Sequence, residues 1–296
     1  MIEGIINKLL GGFYYVMTDK GVLECRARGL FRKQDIKPLV GDRVGVQIDS
    51  LDETKGYIIE VRERDTRLDR PAVANVNQSV IVFSIKNPKP NIHLLDKMLF
   101  LCEVSGIDPL IVFNKCDLDE DGTLFDELTD IYKSTGYRVI ETSTKQNIGI
   151  DQLRKALEDR ITVFAGPSGV GKSTLLNVII PGLKLNTGEV SKKIQRGKHT
   201  TRHTELILVP GGGFVLDTPG FTSLDLAEIE PEDIKAYMPE FVKYQEDCRF
   251  QNCNHMNEPS CAVIDALNRE EIHFSRYNSY KLLFNQAGED KRRKSW

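Results

Sequence analysis

A glycine-rich loop at residues 166–174 carries the residue types that bind a nucleoside triphosphate. Gly166, Gly171, Lys172 and Ser173 match the pattern G-x-x-x-x-G-K-[ST], after an apolar strand and before a helical run. Backbone N–H groups of such a loop surround phosphate oxygens at a helix N-terminus, where the helix dipole favours negative charge. We expect Lys172 to reach the β- and γ-phosphates and to act in catalysis, and the Ser173 hydroxyl to bind Mg²⁺. The predicted phosphate contacts are Gly166, Pro167, Ser168, Gly169, Val170, Gly171, Lys172, Ser173 and Thr174.

A second motif, Asn114-Lys115-Cys116-Asp117, follows an apolar strand predicted at 109–114. It resembles N-K-x-D, the guanine-specificity motif of GTPases, and ligands bind at the carboxyl ends of strands in open α/β sheets. The Asp117 carboxylate can accept hydrogen bonds from N1–H and the 2-amino group of guanine together, a pair of donors that adenine lacks. Asn114 would support the loop and the base edge, and the Lys115 stem would cover the ring.

A third stretch, after the strand predicted at 137–141, resembles the weaker companion loop that closes over the base in GTPases. Its residues are Ser143, Thr144 and Lys145. Together with the phosphate loop, the two stretches predict GTP or GDP with Mg²⁺ as the ligand.

A fourth motif, Asp217-Thr218-Pro219-Gly220, follows the apolar run 214–216 and resembles D-x-x-G. In that motif the Asp holds Mg²⁺ through water and the Gly N–H contacts the γ-phosphate. The segment 196–204 lies where the first switch of a GTPase would lie, so Thr200 or Thr201 is the predicted Mg²⁺ ligand from that side.

The residue after Gly220 is Phe221, which cannot hydrogen-bond the attacking water as the Gln of many GTPases does. We therefore expect either slow intrinsic GTP hydrolysis or a catalytic group supplied from elsewhere in the protein or by a partner. His199 is the first candidate to position this water, and His203 is the second. A solvent-exposed histidine without a chemical role is the remaining interpretation.

Three of the six cysteines fall within residues 248–261 and share that stretch with a histidine. Three thiols and one imidazole are a donor set for a closed, tetrahedral structural Zn²⁺ site, although the spacing is not that of a common zinc finger. The other interpretation is a set of buried cysteines beside a surface histidine. The candidate ligands are Cys248, Cys253, His255 and Cys261.

The elements that must position these residues divide into three predicted domains. Residues 1–66 contain five short β-runs without a long helix, which is typical of an OB-type β-barrel. Residues 67–222 alternate strands and helices after a linker-like stretch at 67–78, which predicts an α/β domain with a parallel sheet. Residues 223–296 are helical and polar around the cysteines, which predicts a helical zinc-binding domain.

Charge and hydropathy exclude several classes of protein. The 296 residues carry 40 basic and 43 acidic side chains, so a globally basic nucleic-acid coat is excluded. Between Arg26 and Arg43 the basic residues outnumber the acidic ones, which fits an RNA-facing barrel surface and a solvated barrel edge equally well. No apolar run approaches the ~18 residues of a membrane span, and the first residues do not read as a secretory signal, so we expect a cytoplasmic protein.

The motifs occur in rotated order. In ordinary GTPases the phosphate loop precedes the guanine motif, whereas here the order is 114, 143, 166, 200 and 217. This rotation, with a barrel before it and a cysteine cluster after it, resembles the circularly permuted ribosome small-subunit-dependent GTPase (RsgA) family. The resemblance covers essentially the whole chain. It implies a circularly permuted P-loop GTPase domain, a zinc role for the cysteine cluster, and His199 as the catalytic histidine.

The resemblance also implies a function: a GTPase that binds the small ribosomal subunit and its ribosomal RNA, assists late maturation, and hydrolyses GTP when stimulated by the subunit. We expect a monomer with no membrane partner. Two other classes remain open, a P-loop phosphotransferase and an RNA-binding scaffold that holds GTP without hydrolysing it. The first would have no use for N-K-x-D.

Overall fold

A computed structural model describes residues 1–29, 31, 36–69, 71–185, 204–216 and 229–294. Five strands form a closed barrel in the order β1–β2–β3–β5–β4. Gly11 and Gly12 join β1 to β2 with φ values of 60° and 84°, as a two-residue hairpin turn requires. The barrel prediction is confirmed, and its strands are β1 (Ile2–Leu10), β2 (Phe13–Thr18), β3 (Gly21–Ala27), β4 (Arg43–Ile48) and β5 (Lys55–Val61).

Alternation along these strands separates the barrel's interior from its outer face. The residues that fill the interior are apolar and buried, and the positions between them face outward. The buried set is Ile6, Val16, Leu23, Cys25, Val44, Val46 and Ile58.

The stretch predicted as a linker contains a two-stranded hairpin. Strands β6 (Arg67–Asp69) and β7 (Ala72–Ala74) pair antiparallel, and Val73 and Ala74 are fully buried. The Ala74 N–H donates to the Val40 carbonyl at 2.9 Å, which fixes the hairpin beside the barrel. The apolar side chains of this stretch therefore find a core, which its Pro and Asn content did not indicate.

A six-stranded sheet follows, in the order β10–β9–β8–β11–β13–β12. Strands β9 and β10 pair parallel, as do β11 and β13, whereas β12 runs antiparallel to β13, so the sheet is mixed rather than parallel throughout. All seven residues of β8 are buried, as expected for a strand covered on both faces. The strands are β8 (Gln78–Ser84), β9 (Asp108–Asn114), β10 (Arg138–Thr142), β11 (Ile161–Ala165), β12 (Leu206–Leu208) and β13 (Phe214–Leu216).

In the part of the chain that the structure describes, four helices alternate with these strands. The first begins with an N-cap at Asn91, whose side chain accepts from the Leu94 N–H, and ends at Gly106 in the left-handed region. The helices are α1 (Ile92–Ser105), α2 (Thr123–Asp130), α3 (Ile150–Ala156) and α4 (Lys172–Ile179).

The C-terminal region is helical, as predicted. Two short 3₁₀ segments, Pro231–Tyr237 and Gln245–Asp247, flank helix α5 (Pro239–Val242), and helices α6 (Ala262–Asn268) and α7 (Phe274–Lys294) follow. Phe241 and Tyr280 are fully buried and pack edge to face, with ring centroids 4.9 Å apart. No helix in the described part of the chain is long and apolar enough to cross a membrane.

Contacts divide the chain into two compact units. One unit comprises Met1–Ser79, Asp151–Phe164 and Ser173–Phe221, and therefore contains the barrel and the hairpin. The other comprises Val80–Ile150, Ala165–Lys172 and Thr222–Trp296. The guanine motif, the phosphate loop up to its lysine, and the cysteine cluster all belong to this second unit.

Candidate functional site

The phosphate loop joins β11 to α4 and depends on glycine at two positions. Gly166 has φ 130°, and a Cβ there would lie 2.1 Å from the Val82 carbonyl oxygen. Gly171 has φ 102°, and a Cβ there would lie 2.3 Å from Asn114 Nδ2. No side chain fits either gap, so both glycines are needed for the loop to approach β8 and the guanine motif.

Lys172 lies at the start of α4 with its ammonium group turned into the phosphate loop. Its Nζ donates to the carbonyl oxygens of Gly166 at 2.8 Å and Pro167 at 2.7 Å. Burial lowers the pKa of the Lys172 ammonium because the charged form loses water. A phosphate bound beside it would favour the charged form. Ser173 and Thr174 are half-buried in the same first turn.

Asn114 is the last residue of β9 and is buried, with 2% of its surface exposed. Its Nδ2 donates to the Val170 carbonyl at 2.8 Å, and its Oδ1 accepts from Thr142 Oγ1 at 3.0 Å. The amide therefore links the phosphate loop to strand β10. Both ends of the side chain are used in holding loops together.

Lys115 adopts the left-handed backbone region, with φ 64°. Its Nζ donates to the carbonyl oxygens of Asn87 at 2.6 Å and Gly169 at 2.7 Å. This side chain thus ties the segment that follows β8 to the phosphate loop. Asn87 has no role in the sequence prediction, because its contribution is a backbone carbonyl and no side-chain pattern reports it.

Asp117 is held by the loop that follows β10. Its Oδ1 accepts a hydrogen bond from Ser143 Oγ at 2.6 Å, and its Oδ2 lies 3.8 Å from the exposed Lys145 Nζ. The structure therefore brings the two predicted guanine loops together. In the first of these loops Cys116 is buried, and burial raises the pKa of its thiol. In the second loop Thr144 is half-buried.

The predicted switch residues lie outside the described residues. The strands that flank them are described: β12 begins at Leu206, after the first switch segment, and β13 ends at Leu216, directly before the D-x-x-G motif. The predictions that fall outside the described part are His199, Thr200, Thr201, His203, Asp217, Gly220 and Phe221.

The cysteine cluster assembles four donor atoms within 4.8 Å of one another. Cys248 Sγ lies 3.6 Å from His255 Nδ1 and 3.9 Å from Cys261 Sγ, and His255 Nδ1 lies 3.3 Å from Cys261 Sγ. Ligands in a tetrahedron around Zn²⁺ are about 3.8 Å apart for two sulfurs and about 3.6 Å apart for sulfur and nitrogen. The donor set and its spacing therefore fit a Zn²⁺ ion bound through Nδ1.

Burial also prepares the imidazole for a metal. It lowers the pKa of His255 to about 4, which keeps the ring neutral, the form that binds a cation. It raises the pKa of the Cys261 thiol to about 12, an effect that a bound divalent cation would oppose by favouring the thiolate.

Residues outside the Cys/His pattern hold the cluster in place. Lys235 Nζ donates to the Cys253 carbonyl at 2.7 Å, and Tyr277 OH donates to the His255 carbonyl at 2.7 Å. The Phe241 ring packs edge to face on His255 with centroids 5.8 Å apart. These residues could not be predicted from the sequence, because a lysine or tyrosine in a polar helical region carries no signal of a distant backbone partner.

A buried charge network, also missed, lies beside the cluster's helices. Arg276 of α7 is 1% exposed and contacts two fully buried carboxylates. Its Nη1 lies 2.6 Å from Asp96 Oδ1 of α1, and its Nε lies 2.7 Å from Glu240 Oε1 of α5. Three elements far apart in sequence are therefore joined through one guanidinium group.

Comparisons with known proteins agree with this arrangement. Residues 61–227 match the family model described as RsgA GTPase, and residues 3–58 match the model described as RsgA N-terminal domain. The protein named small ribosomal subunit biogenesis GTPase RsgA from Caldanaerobacter subterraneus subsp. tengcongensis is 45% identical over 293 residues, which is 99% of this chain and 98% of that one. Its namesake from Geobacillus sp. is 50% identical over 282 residues, 95% of each chain.

Two solved structures are similar over nearly the whole chain. The crystal structure of YloQ, a circularly permuted GTPase, has a TM-score of 0.83 at 39% identity and covers 98% of this chain and 96% of its own. The crystal structure of YjeQ from Thermotoga maritima has a TM-score of 0.83 at 38% identity and covers 97% of this chain and 98% of its own.

The chain carries its guanine motif before its phosphate loop, yet the fold brings the two together at one edge of the sheet. That fold and that site define a circularly permuted P-loop GTPase with a barrel before it and a Cys₃His cluster after it. The family-model matches and the near full-length identities then place it more narrowly. The chain belongs to the RsgA GTPase family.

Proposed function

We propose that this protein is a GTPase of small ribosomal subunit biogenesis, which binds the subunit, assists its late maturation and hydrolyses GTP when the subunit stimulates it. The observation that carries the proposal is the 2.8 Å hydrogen bond from Asn114 Nδ2 to the Val170 carbonyl, because it joins a guanine-selecting loop to a phosphate loop in one site. Relatives that are 45% and 50% identical and are named for small ribosomal subunit biogenesis support the cellular role.

Guanine selection is assigned to the Asp117 carboxylate. The Ser143 hydroxyl holds one of its oxygens, and the carboxylate keeps acceptor sites for the N1–H and 2-amino donors of guanine. Asn114 and Lys115 act by holding the loops, since their side-chain nitrogen atoms donate to protein carbonyls. Thr144 and Lys145 lie on the loop that would cover the base.

Phosphate binding is assigned to the loop from Gly166 to Thr174. Lys172 would exchange its bonds to the loop carbonyls for the β- and γ-phosphate oxygens of GTP, where its charge offsets charge that develops during phosphoryl transfer. The backbone N–H groups of the loop supply further donors.

The residues that would hold Mg²⁺ are Ser173, Asp217 and one of Thr200 and Thr201. Bound Mg²⁺ supplies positive charge that offsets the negative charge of the β- and γ-phosphates. The Gly220 N–H would contact the γ-phosphate, which gives this position a means to distinguish GTP from GDP.

Positioning of the attacking water is assigned to His199, with His203 as the alternative. Phe221 cannot do this, because its side chain has no hydrogen-bonding group. An imidazole can orient the water and accept its proton, and its contribution arises mainly in the transition state.

The other two domains serve attachment to the ribosome. We assign residues 1–66 to an RNA-binding barrel, 67–222 to the permuted GTPase domain and 223–296 to a domain stapled by one structural Zn²⁺ on Cys248, Cys253, His255 and Cys261. Four protein ligands leave no open position, so the zinc would be structural. The partner is the small subunit with its ribosomal RNA, the protein acts as a monomer in the cytoplasm, and no membrane takes part.

Hydrolysis assays separate this function from its alternatives. Phosphate release is measured with GTP and with ATP, each with and without purified small subunits, using Lys172→Ala as a blank for contaminating activity. We expect slow GTP hydrolysis that rises strongly with small subunits and no turnover of ATP. Equal use of ATP would favour a phosphotransferase. Tight GTP binding with no turnover, even with subunits, would favour a scaffold.

A further inference from the structure

One outer face of the barrel carries a row of side chains that are neighbours on five adjacent strands. Strand register pairs Leu10 with Phe13, Arg26 with Tyr57, and Tyr57 with Gln47. Phe13 follows in register opposite Arg26, since the next pair along is Tyr14 with Cys25. We call these five residues the stacking row.

The stacking row faces outward because its sequence neighbours face inward. Cys25 and Ile58, next to Arg26 and Tyr57, are fully buried in the barrel. Arg26, Gln47 and Tyr57 are exposed, with 42% of Tyr57 accessible, and Phe13 is half-buried. An aromatic ring, a guanidinium group and a second aromatic ring thus follow one another across the surface.

The spacing of the row suits stacked bases. The Arg26 guanidinium carbon lies 4.9 Å from the centroid of the Phe13 ring. Adjacent strands are about 4.8 Å apart, so Phe13 and Tyr57, on either side of β3, stand roughly 10 Å apart. Rings and arginine planes are the surfaces on which proteins stack unpaired RNA bases.

Charge on this face points to a polyanion. Neither Arg26 nor Arg28 has a carboxylate partner among the described residues, and Arg28 donates to the neutral Gln47 side chain. The carboxylate of Glu24, on the same strand, accepts from Tyr15 OH at 3.2 Å. By contrast, each of the four arginines in the described range 36–69 pairs with a carboxylate. These arginines are Arg43, Arg62, Arg64 and Arg67.

We propose that the stacking row binds unpaired RNA nucleotides. One base stacks on the Phe13 ring and another on the Tyr57 ring. The guanidinium groups of Arg26 and Arg28 contact the RNA between these two bases, including its phosphates. This inference rests on the proposed function for its RNA partner and names the surface and the structural class of RNA that it takes. Two aromatic faces and two arginines without a carboxylate partner among the described residues match the bases and phosphates of a single strand, whereas a duplex hides the faces of its bases.

The test uses the full-length protein and a fluorescein-labelled ten-nucleotide single-stranded RNA, with fluorescence anisotropy as the readout. Phe13→Leu and Tyr57→Leu keep apolar bulk but remove the ring, and each should weaken binding roughly tenfold with the salt slope unchanged. Arg26→Gln and Arg28→Gln should weaken binding and each reduce the salt slope by about one.

Matched controls separate stacking from bulk charge. Arg67→Gln removes the same charge from an arginine that already pairs with Asp69, so it should change the affinity far less than Arg26→Gln does. The affinity of the protein for a duplex RNA of the same length should change little in Phe13→Leu and Tyr57→Leu. Circular dichroism and basal GTP hydrolysis of each variant establish that the barrel variants remain folded.

Several outcomes would overturn the inference. These are wild-type affinity for single strands in both leucine variants, equal losses for duplex and single strand, and equal effects of Arg26→Gln and Arg67→Gln. Leucine variants that lose small-subunit binding but keep single-stranded RNA binding would mean that the face docks a ribosomal protein instead. Subunit-stimulated GTP hydrolysis is measured in parallel, so that a failed stacking row can be distinguished from a failed GTPase assignment.

Discussion

Replacing Arg276 by Met would leave two buried carboxylates without the cation they share. Arg276 lies 2.6 Å from Asp96 and 2.7 Å from Glu240, and both carboxylate side chains are fully buried. Methionine fills much of the same volume, so the main change is the loss of charge and hydrogen bonds. Helices α1, α5 and α7 would then meet at an uncompensated pair of negative charges.

The expected cost is about 3–5 kcal/mol, the range for removing one partner of a buried ion pair. A typical domain is stable by only about 5–15 kcal/mol, so local opening of these helices should become much more frequent. Converted at about 1.4 kcal/mol per tenfold change, the opening equilibrium should shift by a factor between about 140 and about 3,700.

Acid should relieve part of this loss. Burial raises the pKa of Asp96, and the Arg276 charge opposes that rise, so removing Arg276 raises the pKa further. A carboxyl group whose folded-state pKa is raised contributes stability below its unfolded pKa and loses it as the pH rises through the folded value. The deficit of Arg276→Met relative to wild type should therefore be largest near pH 8 and shrink toward pH 5.

Native-state hydrogen exchange followed by mass spectrometry measures this effect locally. Peptides from α1 and α7 should exchange at least a hundredfold faster in Arg276→Met, and the additional changes Asp96→Asn and Glu240→Gln should restore part of the protection. An increase below tenfold, no recovery in the triple variant, or a deficit that grows on acidification would refute the reasoning.

Four further predictions concern the nucleotide and metal sites. Asp117→Asn should weaken GTP binding about 10- to 100-fold and shift preference toward xanthosine triphosphate, and unchanged GTP affinity in a calorimetric titration would remove Asp117 from the site. Lys172→Ala should lower phosphate release about a hundredfold or more, and wild-type turnover would contradict the phosphate-loop assignment. His199→Ala should keep nucleotide affinity and lose about a hundredfold in subunit-stimulated turnover, whereas the same loss on His203→Ala alone would transfer the role. The wild-type chain should hold one equivalent of zinc by elemental analysis, and Cys253→Ser should lose it with helical signal from the C-terminal region; a metal-free, fully folded wild type would exclude the site.

Local patterns were enough to predict much of the fold. The barrel strands, the alternating strands and helices, and the phosphate loop follow from residue types a few positions apart, because a strand, a helix start or a tight turn is fixed by neighbouring residues. Gly166 and Gly171 are examples, since the motif requires glycine at both positions and the structure leaves no room for a Cβ at either. The zinc-ligand set could also be predicted, because three cysteines and a histidine rarely occur so close together in a sequence.

The remaining features depend on contacts that no local pattern records. The position of the β6–β7 hairpin depends on the Val40 carbonyl, and the position of the Lys115 side chain depends on the Asn87 carbonyl, and both partners lie far away along the chain. A strand's direction and register follow from the pairing of the whole sheet, and they determine which side chains become neighbours.

The sequence by itself therefore determined which groups this protein has for chemistry: a phosphate loop, a guanine-selecting carboxylate and a set of zinc donors. Only the tertiary structure decided which of them meet and what supports them. Arg276 has the residue type of a solvent-exposed helix position, yet it is buried because Asp96 and Glu240 arrive from two other elements. Phe13 and Tyr57 are 44 positions apart, and they share one face only because β2 and β5 both pair with β3 in the barrel. The physical reason is that burial and charge pairing are properties of a position in space, and the chain reaches that position only when distant segments have packed together.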